Sequence, residues 1–246
     1  MTEYFNVRSN DYKKYRPVYP KGLFDFLADT APANDLAWDC GCGTGQATAA
    51  LSDYFDKVIG TDVSKGQIKN AIKKPNIIYK VTSEKNSELK NKSVDLVTCA
   101  QSLHWLDLNK FYKEVKRVLK PDGIIAVWTY NLFRINKEID GLIDKLYFDI
   151  IYSYWPEQRK HVETGYKELE FPFTKMSTPQ FSMEAEWSLD QLIGYLNTWT
   201  GVQNYIEFEA FNPLEFIEKE LQTIWKKNKS KKKKIVWPLT LKVGKI

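Results

Sequence analysis

Histidine and cysteine are scarce in this sequence, and their scarcity removes whole classes of chemistry. The 246 residues hold two histidines, His104 and His161, and three cysteines, Cys40, Cys42 and Cys99. A cysteine-based zinc site needs a second pair of ligands at short spacing, and beyond Cys40 and Cys42 there is none. An odd cysteine count with no framework of spacings points to a reducing compartment. No apolar run approaches the ~20 residues of a membrane span. The opening stretch Met1-Thr2-Glu3-Tyr4-Phe5-Asn6 is polar and lacks the apolar segment of a secretion signal. These absences lead to the expectation of a soluble, cytoplasmic protein with no metal site.

What is present is apolar and aromatic. Apolar residues make up 43% of the chain, enough for a sizeable core, and aromatics 14%, with eight tryptophans that must pack or line a pocket for a flat or apolar ligand. The net charge of +5 is local: the run Lys226-Lys227-Asn228-Lys229-Ser230-Lys231-Lys232-Lys233-Lys234 holds seven lysines, and removing them leaves −2. That run reads as a solvated loop rather than a nucleic-acid or membrane contact, because no interleaved aromatics or second basic face accompany it.

Along the chain, short apolar runs alternate with helical patterns. Leu36-Ala37-Trp38, Val58-Ile59-Gly60-Thr61-Asp62, Ile77 to Val81, Val94 to Ala100 and Ile124 to Trp128 read as five buried strands. Between them lie a helix from Ala47, a helix opened by the capping pattern Ser64-Lys65-Gly66-Gln67, and one carrying Leu108, Phe111, Val115 and Val118 on one face. Regular alternation predicts a parallel sheet with helices on both faces. After Trp128 the rhythm breaks into one long helical stripe from Ile139 to Tyr154. A strand over 181–187, a capping box at Ser188-Leu189-Asp190-Gln191, a helix from Leu214 and a closing strand from Ile235 follow, with Pro238 expected near that strand's start or on a bulge.

One stretch carries the chemistry: Asp39-Cys40-Gly41-Cys42-Gly43-Thr44-Gly45-Gln46, between a strand and a helix. Alternate glycines allow a tight turn and close approach of a ligand, and the helix start behind them offers unpaired N–H groups. The third glycine comes one residue too early for the dinucleotide fingerprint G-x-G-x-x-G, and no Gly-Lys-Ser/Thr marks a P-loop. The spacing resembles the first motif of class I S-adenosylmethionine (SAM)-dependent methyltransferases. Asp62, at the end of the second strand, stands where a carboxylate receives ribose hydroxyls, and Ser83-Glu84 follow the third strand. Tyr15 to Pro20, Ala100-Gln101-Ser102-Leu103-His104-Trp105, Val118 to Gly123 and Trp237-Pro238-Leu239 further resemble the trans-aconitate-methyltransferase-like group, close to the UbiE-type enzymes. The usual Pro-Gly-Gly turn of that group reads Pro121-Asp122-Gly123 here.

The resemblance implies a Rossmann-like α/β fold: a seven-stranded, mostly parallel sheet with a helical cap inserted after strand five. It divides the chain into a SAM-binding core (1–130, with a lid at 1–19), a cap (131–180) and C-terminal strands and helices (181–246). The cofactor is SAM. The residues expected to hold it are Tyr15, Arg16, Asp39, Gly41, Cys42, Gly43, Gly45, Asp62, Val63, Ser83, Glu84, Ala100 and Gln101. Arg16 is expected at the cofactor's carboxylate end, which suits a planar guanidinium. Tyr19, Trp105, Trp128, Trp155, Arg159 and His161 are expected to form the acceptor pocket, with Arg159 suited to an acid.

The resemblance further implies O-methylation of a small carboxylic acid. Alternatives are C- or O-methylation of a quinone- or lipid-type metabolite, and, in another class, a non-catalytic SAM-binding module or an RNA or protein methyltransferase. A carboxylate acceptor needs no general base, whereas a phenol or acidic carbon does. His104, just past the fourth strand, is the candidate base or else a wall of the pocket. The sequence Ala100-Gln101-Ser102-Leu103 replaces the Asn/Asp-Pro-Pro-Tyr/Phe of amino-group enzymes, which argues against a nucleic-acid partner. Cys99, inside an apolar strand, reads as an inert thiol.

Overall fold

The computed structural model describes residues 16–227 and 231–246. Tyr15, residues 1–15 of the expected lid, and residues 228–230 of the lysine run lie outside the described residues. Helix α1 (Lys21–Thr30) leads into β1 (Leu36–Cys40), α2 (Gln46–Leu51), β2 (Lys57–Asp62), α3 (Lys65–Lys69), β3 (Ile77–Val81) and β4 (Val94–Ala100). A 3-10 turn (Leu103–Trp105), α4 (Leu108–Val118) and β5 (Leu119–Tyr130) complete the first half. The alternation holds because the central strands are buried on both faces. Ile124, Ala126, Trp128 and Tyr130 of β5 share one core with Leu23, Phe24 and Leu27 of α1. Ile125 and Val127 share the other with Trp38, Phe111 and Val115.

Among the described residues the sheet runs through seven strands, as expected, in the order β3-β2-β1-β4-β5-β8-β6, with β7 paired to β8 off this path. Strands β1 to β5 run parallel. The chain leaves β1 toward β2 on one side and returns to β4 on the other. The crevice above β1 and β4 is therefore the point where strand order reverses, and open α/β sheets gather ligands there.

The second half differs more from its sequence pattern. The stripe expected as one helix is broken into α5 (Lys137–Asp144), a π turn (Lys145–Ile150) and a 3-10 turn (Tyr152–Tyr154). The π turn is closed by Ile151 N–H donating to Leu146 O at 3.0 Å. Leu146, Tyr147 and Ile151 are all buried there, so the stripe keeps its apolar face although the helix is broken. Helix α6 (Arg159–Glu163), β6 (Thr174–Lys175), β7 (Ser182–Trp187), α7 (Leu189–Asn197), α8 (Thr200–Glu209), α9 (Glu215–Lys227) and β8 (Lys233–Lys245) follow. The capping box forms: Ser188 Oγ accepts from Gln191 N and Gln191 Oε1 accepts from Ser188 N.

Pro238 lies inside β8 rather than near its start. Residues 233–238 pair with β7 and 239–245 with β5, so the residue without an N–H stands where the strand changes partners. Leu119 already pairs with Val94, and the register shifts before Ile124, so residues 120–123 bulge out of β5. There Asp122 adopts φ 65°, a left-handed conformation that Asp tolerates better than most residues. The described part of the lysine run is not simply a solvated loop. Lys233 is buried in β8 with its ammonium 5.3 Å from the Trp225 ring centre, and Lys234 pairs with Glu184 at 2.7 Å. No helix among the described residues is long and apolar enough to cross a membrane, and these residues hold no cluster of side chains suited to a metal.

Candidate active site

The glycine turn follows β1 and is tied down from both sides. Gly41 and Cys42 donate their N–H groups to Thr61 O at 2.8 and 3.0 Å, and Gly43 N–H donates to Asp62 Oδ2 at 2.9 Å. Gly41, Gly43 and Gly45 all have positive φ (67°, 54° and 79°). Their surroundings differ. A Cβ on Gly45 would lie 2.1 Å from Tyr79 Oη, and one on Gly41 2.6 Å from Ser102 Oγ. On Gly43 it would meet nothing nearer than Gln67 Oε1 at 3.9 Å. Gly41 and Gly45 are therefore demanded by the protein's own packing, whereas Gly43 leaves room on the cavity side.

Behind the turn, Asp39 is fully buried and accepts from Thr48 Oγ1 at 2.6 Å and Thr98 Oγ1 at 2.9 Å. Burial pushes its carboxyl up to about 6 against those two bonds. Asp62 accepts from the backbone of Gly43 and Ser64, and burial raises it as well. The thiols above β1 and β4 are pushed up by burial too, Cys99 to about 12, and are inert.

A cavity of about 500 Å³ opens over the C-terminal ends of the strands, a size typical of small-ligand sites. Its wall runs from Gly41, Cys42 and Gly43 through Asp62, Val63 and Ser64 to Thr82 and Glu84, and returns along Ala100, Gln101 and Ser102. Arg16, Tyr19 and Tyr130 close it from the side. Gln101 is held in a left-handed conformation, φ 56°. Its side-chain amide donates to Tyr130 O and accepts from Thr129 Oγ1 and Tyr130 N–H. Non-glycine residues in this region are strained and gather at functional sites.

A second pocket, about 110 Å³, adjoins the first. Arg16, Gln101, Trp105 and Tyr130 line both. Its other walls are His104, Asn131, Trp155, Pro156, Arg159, Tyr195, Trp199 and Thr200. None of these is acidic. Arg159 donates from Nε to Tyr147 Oη at 2.9 Å and from Nη2 to Asn131 Oδ1 at 2.6 Å, with its guanidinium 4.8 Å from the Trp155 ring centre. Arg16 Nη1 donates to Tyr130 Oη at 3.2 Å, and the Arg16 guanidinium lies over the Tyr195 ring. His104 Nδ1 lies 2.9 Å from Tyr166 Oη. Burial, with Arg159 and His161 nearby, pushes His104 down to about 3.

Most of the expected site residues meet in these two spaces, but several do not. Asp39 and Gly45 stand behind the wall, the one locked by threonines, the other packed on Tyr79. Ser83 is off the wall while its neighbours Thr82 and Glu84 are on it. Trp128 does not reach either pocket. It is fully buried, edge-on to Tyr19 and Phe24, and its Nε1 has no hydrogen-bond partner among the described residues. Tyr130, two residues further along the same strand face, takes the place expected of it. Tyr19 lines the larger cavity rather than the smaller. His161 lines neither, and its buried Nδ1 has no hydrogen-bond partner among the described residues. Gln46 and Gln67 were not expected in the larger cavity, nor Asn131, Tyr195 and Trp199 in the smaller. Gln67 had a signal, as the fourth residue of a capping pattern.

This strand order, with an antiparallel strand beyond β5, a glycine turn at the reversal point and a carboxylate ending β2, defines a class I SAM-dependent methyltransferase. The Methyltransferase domain family matches residues 38–127, and the chain belongs to the methyltransferases of this class. A Dictyostelium discoideum protein named as a methyltransferase is 34% identical over 226 residues, covering 90% of this chain and 86% of that one. A solved structure from Anaeromyxobacter dehalogenans, described as a type II methyltransferase, has 36% identity and a TM-score of 0.88, covering 94% of this chain and 98% of that one. The Saccharomyces cerevisiae protein CRG1, named as a SAM-dependent methyltransferase, is 32% identical over 134 residues, and the match covers 51% of this chain and 46% of CRG1.

The cavity suits this cofactor. Gly43 leaves unfilled the space that a Cβ would take, and Gln67 is the nearest group across it. Asp62 accepts Gly43 N–H on Oδ2 and Ser64 N–H on Oδ1, and an ionised carboxylate with about four acceptor sites keeps capacity for a ribose hydroxyl.

Proposed function

We propose that this enzyme methylates a carboxylate oxygen of a small acid. The observation that carries the reading is Arg159, a guanidinium in a small pocket without an acidic wall, adjoining the cofactor cavity through four shared residues. In this reading Asp62 takes the ribose hydroxyls, Glu84 stands at the adenine end, the Gly41–Gly43 backbone flanks the amino-acid end, and Arg16 binds the carboxylate there. When bound, SAM supplies an electrophilic methyl group on a sulfonium.

The chain's own residues then need only align the acceptor and exclude water, and alignment is worth roughly 7–11 kcal/mol of barrier. A carboxylate is ionised at neutral pH and has no proton to lose. This agrees with His104, which, pushed down to about 3, is neutral at that pH and a poor base. We therefore read His104 as a wall of the pocket. The same reading puts the enzyme in the trans-aconitate-methyltransferase-like group, with small molecules rather than nucleic acids as substrates. A quinone-type acceptor is the second reading, drawn from the ring walls Trp105, Trp155 and Trp199.

Tritium transfer from methyl-labelled SAM across small acids, phenols, quinone precursors, lipids and RNA tests this. The expected product is a methyl ester that releases volatile label in base. Label found only in base-stable products would overturn the reading.

A further inference from the structure

Arg159 and Glu163 stand four residues apart on α6, a spacing at which opposite charges face each other and pair. They do not pair directly. The Tyr147 hydroxyl lies between them, accepting from Arg159 Nε at 2.9 Å and donating to Glu163 Oε1 at 2.6 Å. Among the described residues, the partners of Arg159 are all neutral: the Tyr147 hydroxyl, the Asn131 carbonyl oxygen and the ring faces of Tyr147 and Trp155. Its Nη1 has no hydrogen-bond partner among these residues. Two neutral acceptors thus fix the plane of the guanidinium and leave it without a carboxylate in direct contact.

We infer that Tyr147 is a positioning residue that reserves the Arg159 charge for the acceptor by standing between Arg159 and Glu163. This rests on the acidic-acceptor reading above. A direct Arg159–Glu163 pair would satisfy both groups internally, and an incoming carboxylate would have to displace one charge to meet the other. The hydroxyl prevents this while remaining neutral itself, since burial holds its ionisation well above the usual phenol range. The ring is fixed by its surroundings: Tyr147 is fully buried in the π turn and packs on Trp155 and Trp199, both of which wall the pocket.

The test compares benzoate with its uncharged counterpart benzamide, by calorimetry on the full chain saturated with S-adenosylhomocysteine. Wild type is expected to prefer benzoate. Tyr147→Phe is expected to lose about tenfold in benzoate affinity, with benzamide unchanged, and Tyr147→Phe/Glu163→Gln to regain it. Glu163→Gln alone is expected to bind benzoate at least as tightly as wild type. Unchanged benzoate affinity in Tyr147→Phe, a loss that Glu163→Gln does not restore, or a loss in Glu163→Gln alone would each overturn the inference while the acidic-acceptor reading stood. A wild type that binds benzoate no better than benzamide would overturn that reading and the inference with it.

Discussion

The two adjoining pockets are built in opposite ways. The larger is set by strand ends: turns after β1, β2, β3 and β4 supply most of its wall, which follows wherever the strands stop. The smaller draws mostly on helices and connecting segments. Beyond Arg16, Gln101 and Tyr130, its residues come from the 3-10 turn after β4, the segment after β5, α6 and its approach, α7 and α8, so the ends of β4 and β5 decide only one of its sides. A pocket built from strand ends is as rigid as the sheet. One built from helix side chains can change its chemistry one residue at a time.

The largest effect should come from the contrast within the glycine turn. Gly45→Ala puts a methyl group into Tyr79 at positive φ and should cost about 2–4 kcal/mol of stability, read from urea midpoints. Gly43→Ala should cost only about 1 kcal/mol of backbone strain, yet weaken S-adenosylhomocysteine binding about thirtyfold by filling the cavity side. Equal stability losses in the two variants would erase the distinction between packing glycine and ligand glycine.

Next comes Arg159→Met. It should raise KM for an acidic acceptor about thirtyfold or more while leaving S-adenosylhomocysteine affinity unchanged in calorimetry. A loss of cofactor binding would show that the two pockets are energetically one.

The pockets should also differ in the sign of their pH dependence. Asp39 is raised from 3.8 to about 6, so its protonated form favours the fold. Its contribution is present below pH 4 and is lost as pH rises to about 6, and Asp62 acts in the same direction. His104 is lowered from 6.5 to about 3, so its contribution is present above pH 6.5 and is lost as pH falls toward 3. The two oppose each other in wild type. Asp39→Asn should leave stability rising from pH 4 to 7, and His104→Gln should leave it falling, each by about 1–3 kcal/mol in denaturation midpoints. Parallel slopes in the two variants would contradict the assignment.

The smallest effect is expected at Gly201 in α8. A Cβ there would lie 2.7 Å from the Trp155 ring. Gly201→Ala should push that ring into the smaller pocket and weaken acceptor binding about threefold, with no change at the cofactor.

The same contrast explains what could be read from the chain alone. The places of Asp62, Gly43, Glu84 and Gln101 were legible because each ends or closely follows a strand whose apolar run announces its end, and a parallel sheet puts successive ends side by side. Trp128 was misplaced for want of two residues: β5 runs on to Tyr130, and the burial pattern of a central strand does not say which ring reaches the rim. Asp39 has the right spacing, but its role was decided by Thr48 and Thr98, which its own neighbours do not reveal. Asn131, Tyr195 and Trp199 had no local signal, since they matter only once α7 and α8 fold back over the end of β5. His161 was expected in the acceptor pocket because it lies in the expected cap insertion, yet it stands two residues beyond Arg159 on α6 and lines neither pocket.

The π turn at Lys145–Ile150 has a consequence in chain length rather than composition. A π turn takes up one residue more than a regular turn for about the same rotation, so deleting one residue there would restore regular winding and leave the chain beyond it nearly in place. Deleting one residue from α5 instead, where the winding is already regular, would swing everything beyond it round by about 100°, and Trp155 and Arg159 would lose their aim although every side chain of the pocket was still present. The π turn is therefore a place where the chain tolerates a change of length, a property that substitution scans pass over and a single-codon deletion exposes.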